Sequence, residues 1–70
     1  MIQHNKFQDG CFVLHRIEMN GQKYSAWFGR DGVAFSAELI FPDGNVRNVE
    51  RRSSGVWAGL NKIGRRYVGL

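Results

Sequence analysis

The chain has 70 residues, of which 43% are hydrophobic and 23% are charged, and its net charge is +4 at pH 7. This length allows one domain, and this balance of apolar and charged residues is typical of a globular fold and argues against disorder. Cys11 is the single cysteine, which excludes a disulfide framework within the chain and a cysteine-rich zinc site.

The N-terminal segment, residues 1–10, is polar. It lacks the apolar stretch of a signal peptide, and we expect it to be irregular. The apolar runs elsewhere reach only about four residues, far short of a membrane span. We therefore expect a cytoplasmic protein that does not enter a membrane.

Three turn signals divide the middle of the chain. Asn20-Gly21 and Asp31-Gly32 are typical of tight hairpins, because type I′ turns need a positive φ at both central residues. A turn that begins with proline follows at residues 42–44. Runs rich in β-branched and aromatic residues separate these turns. The predicted strands are residues 11–19, 22–30, 33–41 and 45–51.

Short connections favour pairing in sequence order, so the four strands predict an antiparallel β-meander over residues 11–51. Ser53 or Ser54 is a suitable N-cap for a helix over residues 54–67. The predicted fold is α+β with the element order ββββα, in one domain of residues 1–70. The helix should pack on the sheet through one apolar stripe, formed by Val56, Leu60, Ile63 and Tyr67.

The two hairpin turns also predict which side chains face the core, because register fixes the alternation of faces. Two-residue turns place Phe28 and Phe35 on the core face. Trp27 falls on the opposite face, where Phe12 and Leu14 join it in an apolar island.

The register of the fourth strand depends on the form of its turn. A two-residue turn would place Val46 on the core face, whereas a three-residue turn with a bulge would place Val49 there. The proline favours the bulged turn, which puts Arg47 and Arg51 on the side of Val49 at the sheet edge. Charged residues on an edge strand also discourage edge-to-edge pairing.

The candidate catalytic side chains do not converge. Cys11 and His15 lie four residues apart on one strand, which separates them by about 13 Å, too far for a thiolate–imidazole pair. We interpret His15 as a partly buried histidine bonded to the backbone. The sequence has no phosphate-binding loop, metal-ligand spacing or nucleophile motif. We expect a protein that is not an enzyme and has no metal or cofactor.

Positive charge is concentrated in the C-terminal third. Residues 1–46 carry a net charge of −1, and residues 47–70 carry +5. Arginine suits bidentate contacts with phosphate, although the same charges also complement a helix dipole and keep a surface hydrated. The first candidate site is the cluster of Arg47, Arg51, Arg52, Lys62, Arg65 and Arg66.

The second candidate site is the outer face of the sheet around Trp27, with Arg16 and Lys23 beside it. Aromatic rings next to positive charges hold single-stranded nucleic acid by stacking and phosphate contacts. A protein interface, or self-association into a homodimer, would use the same features. Trp57 lies beside the helix stripe and is expected to widen the core contact.

Two functions fit these sites. The favoured hypothesis is a small basic binding module for nucleic acid, which uses the C-terminal cluster and the aromatic-basic sheet face. The alternative is a protein-binding adaptor or inhibitor, of the kind that phages and mobile elements encode. It would engage an acidic partner surface through Trp27 and the arginines.

Overall fold

The computed structural model describes residues 3–6 and 10–69, and it shows an α+β fold with one antiparallel sheet and a C-terminal helix. The elements in chain order are β1 (Gln3–Lys6), β2 (Phe12–Met19), β3 (Gln22–Phe28), β4 (Ala34–Ile40), β5 (Val46–Asn48) and α1 (Ser54–Val68). The strands pair in sequence order, β1-β2-β3-β4-β5. The predicted fold class and the β-meander are confirmed.

The sheet has one strand more than the sequence predicts. We expect an irregular segment over residues 1–10, whereas β1 pairs antiparallel with β2. An edge strand gains backbone hydrogen bonds on one side without an apolar alternation, so this polar segment carries no strand signal. The other residues of that segment before Gly10, which are 1, 2 and 7–9, lie outside the described part of the chain.

The turn between β2 and β3 is the predicted one, since Asn20 and Gly21 have φ angles of 53° and 78°. The predicted register holds as far as the Ile17–Tyr24 pair and then shifts by one residue. Arg16, with a φ of 60°, occupies the shift. The irregularity is a β-bulge, which adds one residue to β2.

The bulge exchanges the two faces along the first half of β2. Phe12 and Leu14 enter the core, where they are 1% and 2% exposed. Val13 pairs instead with Trp27 on the outer face. The predicted apolar island of Phe12, Leu14 and Trp27 is therefore wrong. The sequence hides this bulge because the residue with positive φ is Arg16 rather than glycine.

Replacing Arg16 by glycine is expected to stabilise the domain by about 0.5 to 1 kcal/mol. The left-handed backbone costs a residue with a Cβ roughly 1–2 kcal/mol, and the larger entropy of unfolded glycine offsets part of the gain. Urea denaturation measures the difference in the free energy of unfolding. Arg16→Ala, which keeps the Cβ, is the matched control. Equal stabilities of the two variants would contradict the strain at this position.

The turn between β3 and β4 has three residues instead of the predicted two. Gly29 N–H donates to Val33 O at 3.0 Å, and Gly32 N–H donates to Gly29 O at 2.9 Å. Gly32 takes the left-handed conformation with a φ of 82°. This geometry is a type I turn followed by a glycine bulge, and it shifts the pairing of the residues next to the turn.

A second bulge, in β4, restores the predicted register. Phe28 pairs with Ala34 and Trp27 pairs with Ser36, so Phe35 is the extra residue. Phe35 is 51% exposed, and its predicted place in the core is wrong. From the bulge onward the strands pair as predicted, as in Ala26 with Ala37.

The turn at residues 42–44 has the bulged form that its proline favours. Phe41 N–H donates to Asn45 O at 2.8 Å, and Gly44 has a φ of 93°. Val49 consequently packs against the core, while Val46 on the other face is 54% exposed. The structure therefore confirms the predicted bulged register of the last strand.

Helix α1 packs on the core face, as predicted, and Gly69 closes it with a left-handed backbone. Its buried residues are Trp57, Leu60 and Gly64. The buried line is therefore turned slightly from the predicted stripe, and Tyr67 at the end of that stripe is 39% exposed.

Two glycines make the closest approach between α1 and the sheet. A Cβ on Gly64 would collide with the carbonyl oxygen of Gly32 and would lie 2.5 Å from Cδ2 of Phe28. Glycine within a helix costs roughly 1 kcal/mol relative to alanine, and here that cost permits the helix to dock. This contact fixes the second half of α1 against the β3–β4 turn.

Candidate functional site

The basic cluster divides into two groups in the structure. The strand-side arginines, in β5 and in the segment that leads to α1, are Arg47, Arg51 and Arg52. The helix cations, in the second half of α1, are Lys62, Arg65 and Arg66.

Two strand-side arginines contact neighbours in the same part of the chain. Arg52 Nε donates to Glu50 Oε1 at 3.1 Å, and both side chains are largely exposed. The Arg47 guanidinium lies 5.5 Å from the centre of the Phe41 ring. Exposed contacts of this kind contribute at most about 1 kcal/mol each, so they leave both arginines accessible to a partner.

Arg51 is held by two contacts at once. Its Nη2 donates to the Phe35 carbonyl oxygen at 2.7 Å, and its guanidinium lies 4.0 Å from the centre of a Trp57 ring. The Trp57 Nε1–H in turn donates to Glu50 O at 2.8 Å. Trp57 therefore belongs to the core, as expected, and it also orients the Arg51 charge.

The helix cations lie on one side of α1. They line a shallow groove together with Ala58 and Asn61. The helix contains no Asp or Glu. Within residues 3–6 and 10–69 the only ion pair is the one between Arg52 and Glu50, so no described acidic side chain neutralises the helix cations.

The helix dipole accounts for part of this charge. Arg65 and Arg66 lie in the last turn of α1, where a cation stabilises the helix by about 0.3–1 kcal/mol. Lys62 lies more than one turn before the end, beyond the range of that effect. The dipole therefore explains two of the three charges and leaves Lys62 without a structural reason.

Asn61 connects the helix cations to Arg51. Its Oδ1 accepts a hydrogen bond of 2.7 Å from the backbone N–H of Ala34. The next residue, Phe35, provides the carbonyl that holds Arg51. Both groups thus meet at adjacent residues of one bulged strand. We call this surface the basic face and define it by Arg51, Lys62, Arg65 and Arg66.

The outer face of the sheet differs from its prediction. Trp27 is half-buried and lies edge-on to the His15 ring, with 6.3 Å between the ring centres. Lys23 lies four residues along β3 from Trp27, about 13 Å away, and pairs across the sheet with Glu18. Arg16 is exposed in the bulge. The structure therefore does not place Lys23 beside Trp27.

His15 is partly buried, as the sequence predicts, but its partner is a side chain. His15 Nδ1 lies 3.0 Å from Ser25 Oγ, and Ser25 is 5% exposed. A serine nucleophile needs an exposed hydroxyl and a histidine that an acid orients through its other nitrogen. Burial of Ser25 makes this pair a structural hydrogen bond.

The described residues include no group of three or more His, Cys, Asp or Glu side chains placed to hold a metal ion.

No helix in the described part of the chain combines the length and the apolar character needed to span a membrane.

The sequence analysis missed Phe35 and Asn61. It placed Phe35 in the core because it assigned a two-residue turn to Asp31-Gly32. Gly32 is equally suited to the last position of a three-residue turn, and that reading would have changed the register. Asn61 gives no local signal, because its partner is 27 residues away in the sequence.

Comparison of the chain with protein-family models, with curated proteins and with solved structures finds no match.

Proposed function

We propose that this protein binds nucleic acid by contacting phosphate groups with its basic face. The single observation that carries the proposal is the side of α1 on which Lys62, Arg65 and Arg66 lie together without a described acidic partner. A helix that lacks acidic residues presents these charges to a polyanion without competition from its own side chains.

Arg51 adds a charge of a different kind. The cation–π contact with Trp57 and the hydrogen bond to Phe35 O fix its guanidinium before a ligand arrives. A guanidinium has five N–H donors, of which the carbonyl takes one. Less side-chain entropy is lost when such a preorganised group binds a phosphate, so Arg51 supports tighter binding than a flexible cation would.

An adaptor that engages an acidic protein surface is the second candidate. The observation in its favour is Trp27, which is only half-buried. Trp27 points to the outer face, however, whereas Arg51 and α1 lie on the core side of the sheet. One flat partner surface cannot contact both, and the geometry therefore favours the nucleic-acid candidate.

Fluorescence anisotropy with labelled single-stranded and duplex oligonucleotides tests the proposal. We expect dissociation constants in the micromolar range at about 50 mM salt, and a linear fall of log affinity with log salt concentration. Four phosphate contacts predict a slope of about −3 for single strands. Polyglutamate serves as a control polyanion and should bind more weakly. Absence of oligonucleotide binding at low salt, or equal affinity for polyglutamate, would reject the proposal.

A further inference from the structure

Phe35 is an exposed aromatic side chain that the fold does not use. It is 51% exposed and does not belong to the core cluster, although it lies within strand β4. The β4 bulge makes Phe35 the residue without a pairing partner in β3. A large apolar side chain exposed within a regular strand calls for an explanation other than folding.

The backbone of Phe35 holds the nearest fixed charge. Its carbonyl oxygen accepts the 2.7 Å hydrogen bond from Arg51, so the guanidinium lies next to this residue. This contact uses the main chain and leaves the phenyl ring exposed. The bulge therefore places an aromatic ring and an oriented guanidinium side by side.

The helix cations lie along the same surface. Ala34, adjacent to Phe35, bonds to Asn61, and Asn61 lines the groove with Lys62 and Arg65. Successive turns of α1 are about 5.4 Å apart, so the cations continue away from Phe35 along the helix. The result is one aromatic ring at the edge of a row of positive charges.

We propose that the basic face selects single-stranded nucleic acid, with a base stacked on Phe35 and the flanking phosphates on Arg51 and the helix cations. This inference rests on the proposed function and specifies its ligand. A single strand has bases free to stack on an aromatic ring, whereas a duplex keeps its bases paired inside. Stacking accepts every base, so the selectivity is for strandedness rather than for sequence.

Three substitutions of Phe35 test the role of the ring. Phe35→Ala removes it, Phe35→Leu keeps an apolar side chain without π electrons, and Phe35→Trp keeps an aromatic surface. Each variant is titrated with the same single-stranded and duplex oligonucleotides, and thermal unfolding confirms that each is folded. Val46→Ala, which shortens an apolar side chain that is 54% exposed on the other face, is the control.

We expect the wild type to bind the single strand at least about 10-fold more tightly than the duplex, since stacking adds roughly 5- to 100-fold for one base. Phe35→Ala and Phe35→Leu should lose this preference and keep the duplex affinity. Phe35→Trp and Val46→Ala should retain it.

The failures of the two proposals are distinguishable. Equal affinity of the wild type for both ligands, or an unchanged preference in Phe35→Ala, would overturn the stacking inference while phosphate binding stands. An equal loss of affinity for both ligands in Phe35→Ala would also overturn it. If the wild type binds neither ligand, phosphate binding itself is refuted and the inference falls with it.

Discussion

Reversal of two helix charges, in the double variant Arg65→Glu/Arg66→Glu, is expected to lower the affinity for oligonucleotides about 100-fold at about 150 mM salt. Two phosphate contacts are lost, and two negative charges then repel the remaining phosphates. Both side chains are exposed and lie outside the core, so folding should be retained. Anisotropy titrations measure the affinity, and thermal unfolding measures the stability.

The matched control is Arg16→Glu/Lys23→Glu, which changes the net charge of the protein by the same amount on the outer side of the sheet. Its affinity should remain within about three-fold of the wild type, because charges a Debye length of about 8 Å or more from the ligand are screened. A larger loss in the control than in the helix variant would place the ligand on the outer face around Trp27. Equal losses would reduce the interaction to net charge.

Gly64→Ala is expected to destabilise the domain by at least about 2 kcal/mol, the largest effect among the substitutions considered. The added methyl collides with the Gly32 carbonyl and with the Phe28 ring, neither of which has room to withdraw. Overpacking of this kind costs about 1–3 kcal/mol or more, and the gain of about 1 kcal/mol in helix propensity offsets only part of it. Urea denaturation followed by tryptophan fluorescence measures the loss.

Two other helix glycines provide matched controls. A Cβ on Gly55 meets nothing within 4 Å, and a Cβ on Gly59 meets chiefly the flexible side chain of Met19, at 2.9 Å from Sδ. Alanine at either position should leave stability unchanged or raise it by up to about 1 kcal/mol. If Gly64→Ala proved as stable as these variants, the close approach of α1 to the β3–β4 turn would be wrong.

The sequence predicts those parts of the fold that depend on local chemistry. Asn20-Gly21 needs positive φ at two adjacent positions, so its turn and the register beside it follow directly. The helix and the form of the proline turn are predictable for similar reasons. The bulge at Arg16 is not predictable, because an ordinary residue adopts the left-handed backbone there.

The consequences of a missed bulge extend beyond the residue itself. A shift of one position exchanges the faces of a strand, and for this reason Phe12 and Leu14 moved from a predicted surface to the core. The missed bulge in β4 had the opposite effect on Phe35. The candidate aromatic site thereby moved from Trp27 on the outer face to Phe35 on the helix side.

The composition of the cluster is predictable, whereas its division is not. Six basic residues in the C-terminal third indicate a phosphate-binding surface, but only the folded chain decides which of them have partners. Arg51 meets Trp57 and Phe35 because the last strand and the helix start converge. Lys62 remains without a described acidic partner because α1 contains no acidic residue.

The most direct test of phosphate binding by the basic face is the salt dependence of single-strand affinity, measured side by side for the wild type and for Arg65→Glu/Arg66→Glu. Each lost phosphate contact lowers the slope of log affinity against log salt by about 0.7. The account predicts that the slope of the variant is smaller by at least about 1.4. Parallel lines for the two proteins would show that Arg65 and Arg66 do not contact phosphate, and would contradict the account.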